Sequence, residues 1–500
     1  MAALASGAVA CGVPARPVVR DSGPPGVVVI CMDTLRADAF GLPGKGGSLP
    51  GLAPGRLPSV DAFARDAVVF ADATAPAPWT PPSVASLLTG LRAAGHGVGA
   101  RLHDYGPHPL SPAVRTFAEI LEERGWFTSA ATSGGWLTPE QGVGRGFATF
   151  SSDFDLHDPA EVVAHWQATR PRGRPFFLFL HSYVAHDPYG DKDVLAQGRC
   201  GDPTEAERVA DGIIAAVDEG APVSADLYAD MVRIRWTDLC GRTTLDQRLG
   251  TERLRPLLAR AKAWNQGGWR DDPALGDRLA ARLRTSYEEG LSFVDRRLAR
   301  TFEALEAAAL PKGTVVVFTA DHGEAFGEDG QLYHGQSLND AVLRVPLIVR
   351  APGKLAGGRV VRGSSSLVDV MPTVLDLVGV PVPARLDGRS LVPLARGEAK
   401  PVPSVAEAER AAVGDRPEIG MVCVRTRAAK WVLEYEVETG TWVREYLYDL
   451  REDPEERNPL PSDAGPGYGV TFCRAVMRAR DELLDRYGQP APPSPCAIVR

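Results

Sequence analysis

The stretch Val27-Val28-Val29-Ile30-Cys31-Met32 is apolar at every position. A strand with one wet face alternates apolar and polar side chains, so an unbroken β-branched run suits a strand buried on both faces. That situation arises where helices cover a mainly parallel sheet. Phe176–Leu180, Thr314–Thr319 and Leu347–Arg350 have the same character. Helical patterns fall between them, at Val60–Ala67, Val114–Arg124, Ala160–Thr169, Ala280–Ala308 and Val370–Val378. Strand–helix alternation of this kind predicts an α/β sandwich with a mainly parallel central sheet.

At 500 residues the chain is too long for one core and calls for a large domain with a smaller companion. Residues 26–400 read as the main domain, interrupted at 191–273 by a charged, helix-forming insertion without strand signals. Residues 401–488 read as a C-terminal subdomain. Its stretches Gly420–Thr426, Lys430–Val437 and Trp442–Tyr448 predict a small antiparallel sheet, with a helix at Ala475–Tyr487 packed on it. Residues 1–25 read as a tail or lipoprotein-like leader, and 489–500 as a Pro-rich tail.

A net charge of −8 with no Lys/Arg run gives the chain no electrostatic pull toward nucleic acid. No run of about 18 apolar residues exists, so no transmembrane segment is expected. Ala8-Val9-Ala10-Cys11 resembles the end of a bacterial lipoprotein signal. The chain as written reads as cytoplasmic, and as exported and lipid-anchored through Cys11 if its true start lies upstream. Of seven cysteines, Cys31 reads as a buried thiol, while Cys200 with Cys240 and Cys473 with Cys496 are candidate pairs.

In sheets of this type functional groups collect at the C-terminal strand edges. Asp33 follows one predicted strand, His181 a second, and Asp321-His322 a third. A carboxylate and an imidazole at a turning strand exit, followed by Gly323, suit a divalent metal. Thr80 precedes Pro81-Pro82 and an apolar run ending at Gly90, the pattern of a capping threonine at a helix start. The same position puts a hydroxyl in the positive field of a helix N-terminus, where amides and dipole suit a phosphate or sulfate. His186, five residues after His181, and His334 add groups able to bind substrate oxygens or protonate a leaving group.

Together these stretches resemble the sulfatase family, a branch of the alkaline-phosphatase-like hydrolases. Met32-Asp33-Thr34-Leu35-Arg36-Ala37-Asp38 resembles the family's opening motif, and Trp79 to Gly90 its nucleophile motif. Pro175–Tyr189 resembles the His-x-Pro segment, and Phe318–Pro346 the second metal-binding stretch. Ser366–Leu391 resembles the segment closing the main domain, and Leu447-Tyr448-Asp449-Leu450 with Asp453-Pro454-Glu456 the C-terminal subdomain. The match runs in order from about Val27 to Leu460, apart from the insertion.

The departures bear on chemistry. Thr80 stands where sulfatases carry the cysteine or serine converted to formylglycine, and threonine cannot form that aldehyde. Val84 replaces the motif's arginine, Thr34 a second acidic ligand, and Val184 a frequent aspartate. The family lysine is missing around Ser133-Gly134-Gly135-Trp136. His322 stands where many sulfatases have an amide, and histidine is common there in phosphoester-cleaving relatives.

The resemblance therefore implies a metal-dependent hydrolase of sulfate or phosphate esters on small molecules or glycans. Asp33, Thr80, Asp321 and His322 would hold one divalent ion (Ca, Zn or Mn). Thr80 would be the nucleophile, with His186 or His334 as acid and His181 in support. A threonine ester lacks the second hydroxyl that a formylglycine hydrate uses to expel sulfate, which favours phosphoester cleavage of the phosphodiesterase type. The alternative reading is a catalytically silent binding protein that keeps the fold.

Overall fold

The structure, a computed structural model, describes residues 25–41, 55–98, 110–187, 203–221, 273–410, 418–460 and 470–487, with isolated positions such as Tyr189. The apolar runs form the middle of one eight-stranded sheet. In chain order its strands are β1 (Gly26–Met32), β2 (Val68–Thr74), β3 (Phe127–Ala131), β4 (Thr149–Ser151), β5 (Phe176–Ser182), β6 (Val315–Ala320), β7 (Leu347–Arg350) and β8 (Arg359–Ser366). Across the sheet they run β8-β2-β7-β6-β1-β5-β3-β4. Only β7 runs against its neighbours β2 and β6; the other pairings are parallel. β1, β5 and β6 are buried along their whole lengths, as continuous apolar strands under helices on both faces must be.

The helices that matter for the site are α1 (Pro58–Ala64), α2 (Thr80–Thr89), α3 (Phe117–Glu122), α4 (Pro159–Thr169), α5 (Pro203–Asp218), α6 (Pro273–Ala307), α7 (Asp340–Leu343), α8 (Val370–Leu377) and α9 (Val470–Tyr487). α3 is shorter than its apolar pattern predicts because Thr116 and Glu119 close a reciprocal capping box that fixes its start. α6 is longer than predicted, and Phe302 near its end stacks on Phe63 of α1 at 4.8 Å. Of the predicted insertion, the described residues include the helix α5; Cys200 and Cys240 lie outside them, as do Cys11 and Cys496. Cys473 is disulfide-bonded, whereas Cys31 and Cys423 are buried free thiols. Among the described residues no helix is long and apolar enough to cross a membrane.

The C-terminal subdomain is a four-stranded antiparallel sheet, β9 (Ser404–Arg410), β10 (Ile419–Arg425), β11 (Ala429–Glu436) and β12 (Trp442–Asp449), in that spatial order. α9 covers it, and Val424, Trp431, Leu433, Phe472 and Val476 share a separate small core. Its junction with the main domain is charged and largely buried. Arg425 of β10 grips Asp340 of α7 through Nε at 2.9 Å and Nη2 at 2.6 Å. Lys430, with no exposed surface, reaches Asp340 at 3.2 Å and both Glu456 oxygens at 2.9 and 2.8 Å. Glu456 in turn accepts the Asp340 amide at 2.9 Å. Buried charges persist only when paired and hydrogen-bonded this thoroughly.

Candidate active site

Hydrogen bonds tie the exits of β1, β5 and β6 together. The Asp33 amide donates to the Ser182 carbonyl at 2.9 Å, and the Asp321 amide to the Met32 carbonyl at 3.2 Å. Thr34 then takes a left-handed φ of 54° while its hydroxyl donates to the Asp33 carbonyl at 2.8 Å. The chain turns sharply there, leaving the Asp33 side chain over the strand end. Asp33, His181, Asp321 and His322 are all fully buried.

Thr80 does not cap α2. Trp79 occupies the cap position with extended backbone, and Thr80 is the first helical residue. Its hydroxyl instead donates to Asp33 Oδ2 at 2.9 Å and lies 3.3 Å from His322 Nε2. The expected cradle of amides is also thin. Pro81 and Pro82 carry no N–H, and the Ser83 amide is already bonded to the Trp79 carbonyl at 3.3 Å. The helix start therefore offers an anion its dipole and little direct hydrogen bonding. The Ser83 hydroxyl clamps α2 to the Asp321 carbonyl at 2.6 Å, fixing Thr80 relative to β6.

His322 Nδ1 lies 2.9 Å from the Gly323 carbonyl, which can only accept, so the proton sits on Nδ1 and Nε2 presents a lone pair toward Thr80 and Asp33. His322 Nε2 is 3.6 Å from Asp33 Oδ1 and 3.8 Å from Asp321 Oδ2. Asp33 Oδ1 and Asp321 Oδ2 are buried and receive no hydrogen bond. Ligand atoms from Asp33, Asp321 and His322 lie within 4.8 Å of one another. Buried carboxylate oxygens without donors, facing an imidazole lone pair, fit a divalent cation, and O/N donors of this kind suit the borderline and hard divalent ions. Cys31, His181 and Asp321 meet the same spacing, sharing Asp321. Burial and the nearby Asp321 push Asp33 up to about 6. Asp321 is held below the usual carboxylate range; burial opposes this, but His322 and His181 outweigh it.

Around this centre His181 Nε2 lies 3.5 Å from Asp321 Oδ2, and neither of its ring nitrogens makes a hydrogen bond. The His334 ring is 4.6 Å from His322 and 5.1 Å from His186. His186 Nδ1 donates to the Asp187 carbonyl at 2.6 Å. The structure thus brings together all seven residues singled out in the sequence.

Sequence reasoning missed Glu324. It is fully buried, accepts from His334 Nδ1 at 2.9 Å and from the Tyr189 hydroxyl at 2.8 Å, and so fixes the His334 ring. Burial opposes protonation of His334, but the charge and hydrogen bond of Glu324 lift it to about 9. The available signal was an acid placed directly after Asp321-His322-Gly323. Arg36, the buried cation beside this region, is spent on Asp38 at 2.7 Å and Glu328 at 2.9 Å.

A mainly parallel sheet thus gathers two aspartates and two histidines at its strand exits, with a hydroxyl carried in by the first turn of a helix, at the edge where α/β sheets assemble their functional sites. The profile of the sulfatase family matches residues 25–380, and that of the N-sulphoglucosamine sulphohydrolase C-terminal region matches residues 327–466. The chain is 30% identical to the steryl-sulfatase of Mus musculus over 442 residues, 77% of this chain and 67% of that protein. It shares its fold with a protein solved in complex with its substrate D-glucosamine-2-N,6-O-disulfate (TM-score 0.63, 19% identity, 93% of this chain and 98% of the other). The phosphonate monoester hydrolase of Agrobacterium radiobacter superposes with a TM-score of 0.58 at 19% identity, covering 92% and 95%. The chain belongs to the sulfatase family, hydrolases that act on ester bonds.

Proposed function

We propose that this protein hydrolyses phosphate or sulfate esters through Thr80 as nucleophile, with phosphoesters the better substrates. One observation carries the reading. The Thr80 oxygen sits 2.9 Å from Asp33 Oδ2 and 3.3 Å from His322 Nε2, beside two buried carboxylate oxygens that lack donors. Asp33, Asp321 and His322, with Thr80, would hold one divalent ion there. When bound, such an ion neutralises charge and makes the Thr80 oxygen more nucleophilic.

The chain's own residues do the rest. Asp33 Oδ2 already accepts the Thr80 proton in a hydrogen bond and is placed to take it as the oxygen attacks the phosphorus or sulfur. His322, its Nδ1 tethered to Gly323, keeps its Nε2 on that oxygen. His334, held by Glu324, and His186 stand side by side as candidates to donate a proton to the departing oxygen. The threonine ester formed is then cleaved by water. Among the described residues no arginine or lysine makes these contacts, so the histidines, with a bound ion, would balance the substrate's charge. The threonine, without a geminal hydroxyl to expel sulfate, supports phosphoester chemistry. The relatives named above, a sulfated-sugar binder and a phosphonate ester hydrolase among them, support a sulfated or phosphorylated small molecule or glycan as the substrate class.

Thr80→Ala tests this reading on aryl phosphate and aryl sulfate esters. Turnover should fall to background while the protein still takes up one equivalent of divalent ion. Unchanged turnover would remove Thr80 from the nucleophile role, and protein that binds no ion and cleaves neither ester while folding normally would favour the silent binding protein.

A further inference from the structure

A cavity of about 360 Å³ opens where the main domain meets the C-terminal subdomain, away from the reactive hydroxyl. Arg92 lines it, two residues beyond Gly90, which ends α2. The ten residues of α2, at about 1.5 Å each, therefore put this cavity roughly 15 Å from Thr80.

The acids around it are already committed. Asp369 accepts the Ser366 and Arg389 amides, each at 2.9 Å. Asp387 accepts the Arg92 amide at 2.8 Å, and Glu482 pairs with the Arg92 guanidinium at 3.0 Å. Three further arginines line the cavity, Arg389 from the main domain and Arg474 and Arg478 from α9, and none makes an ion pair among the described residues. Arg389 Nε and Nη2 are buried without an acceptor, and its Nη1 makes only a 3.5 Å contact to the Lys400 carbonyl. The Ser365 hydroxyl, on a residue 2% exposed, also lacks a partner. Arg474 and Arg478 are one turn apart on the same face of α9, a spacing at which like charges repel.

Guanidinium N–H groups left without acceptors are unfavourable, and oxyanions satisfy them in pairs. Repelling cations from two subdomains around one open space have one simple remedy, an anion between them. We propose that this cavity binds a tetrahedral oxyanion, sulfate or phosphate, either free or carried on a longer polyanionic molecule. The proposal does not depend on the reading of the metal centre.

The test compares the whole wild-type chain with Arg474→Gln/Arg478→Gln and, separately, with Arg389→Gln. The two α9 arginines are exposed, so their replacement should leave turnover of a small aryl ester within twofold. Calorimetric titration with inorganic sulfate and with a sulfated hexasaccharide reads binding. At least tenfold weaker sulfate binding in both variants identifies a site for the free oxyanion. The same loss for the hexasaccharide alone identifies a remote subsite for a polyanionic ligand. Equal binding of both probes by all three proteins overturns the proposal.

Discussion

Replacing Asp340 by asparagine should weaken ion binding at a centre that Asp340 never touches. Its carboxylate accepts three bonds from two Arg425 nitrogens and one from Lys430, at 2.6 to 3.2 Å. It is held far below the usual carboxylate range; burial opposes this, and Arg425 and Lys430 outweigh it. Asparagine keeps the shape but leaves Lys430 with Glu456 as its one acid partner and Arg425 with only the fields of Asp72 and Glu456, and breaking a buried pair in this way costs roughly 3–5 kcal/mol. The strain falls on α7, whose Ala341 and Val342 carbonyls accept the Glu324 amide at 3.1 Å and the Gly323 amide at 2.6 Å. The approach is so close that a Cβ on Gly323 would lie 2.2 Å from the Ala341 oxygen, so α7 cannot shift without moving the Asp321–Glu324 stretch. Losing both bonds, at about 1 kcal/mol each, lowers ion affinity by about 2 kcal/mol, or roughly 30-fold. The assay is calorimetric titration of ion-depleted protein, run beside thermal melts. A lowered melting temperature with ion affinity unchanged within threefold would refute the coupling and leave the charge cluster a purely local fastener.

Three further outcomes are expected. His334→Gln should slow cleavage of alkyl esters by about 10²–10⁴-fold and of p-nitrophenyl esters much less, because a good leaving group needs no proton; equal losses on both would exclude a proton-donor role. Glu324→Gln, which keeps an acceptor for His334 but drops the charge, should move rates the same way by a smaller factor, read from the same pair of esters. His96 is fully buried and, chiefly by burial, held down to about 4 from its ordinary 6.5. A depressed histidine contributes stability above about pH 6.5 and loses it as the pH falls toward 4, here up to roughly 3 kcal/mol. His96→Gln, which cannot titrate, should flatten the urea midpoint between pH 6.5 and 4.5 relative to wild type. Asp369, lifted to about 6 by burial, acts oppositely in both proteins and cancels in that difference.

Within the large sheet, the strands read correctly from the chain are those whose burial is written in their own side chains: β1, β5, β6 and β7 are apolar runs. β2, β3 and β8 escaped notice because their interiors hold Asp72, Thr128 with Ser129, and Ser364-Ser365-Ser366. Those polar groups are tolerated because distant segments satisfy several of them. Asp72 accepts the Gly363 amide at 2.8 Å, and Thr128 donates to the Gly146 carbonyl at 2.5 Å. No window along the sequence contains those partners. The candidate site was legible for a related reason: its ligand-type residues sit at strand exits, where position alone implies convergence. The Trp79–Ser83 start of α2 misled, since a threonine before two prolines has the pattern of a cap, and only the proximity of Asp33 turns its hydroxyl elsewhere. Glu324 was hidden because its meaning depends on Tyr189 and His334 arriving from elsewhere.

The junction between α7 and the C-terminal subdomain also sets an order of assembly. Residues 321–324 are made long before Arg425, Lys430 and Glu456, yet the turn that braces them is locked by those later residues. During synthesis the residues that brace the candidate site through α7 are therefore among the last to emerge, after every strand of the large sheet. A chain cut short before Arg425 would keep every strand of the large sheet but lack the charges that hold α7 against the candidate site.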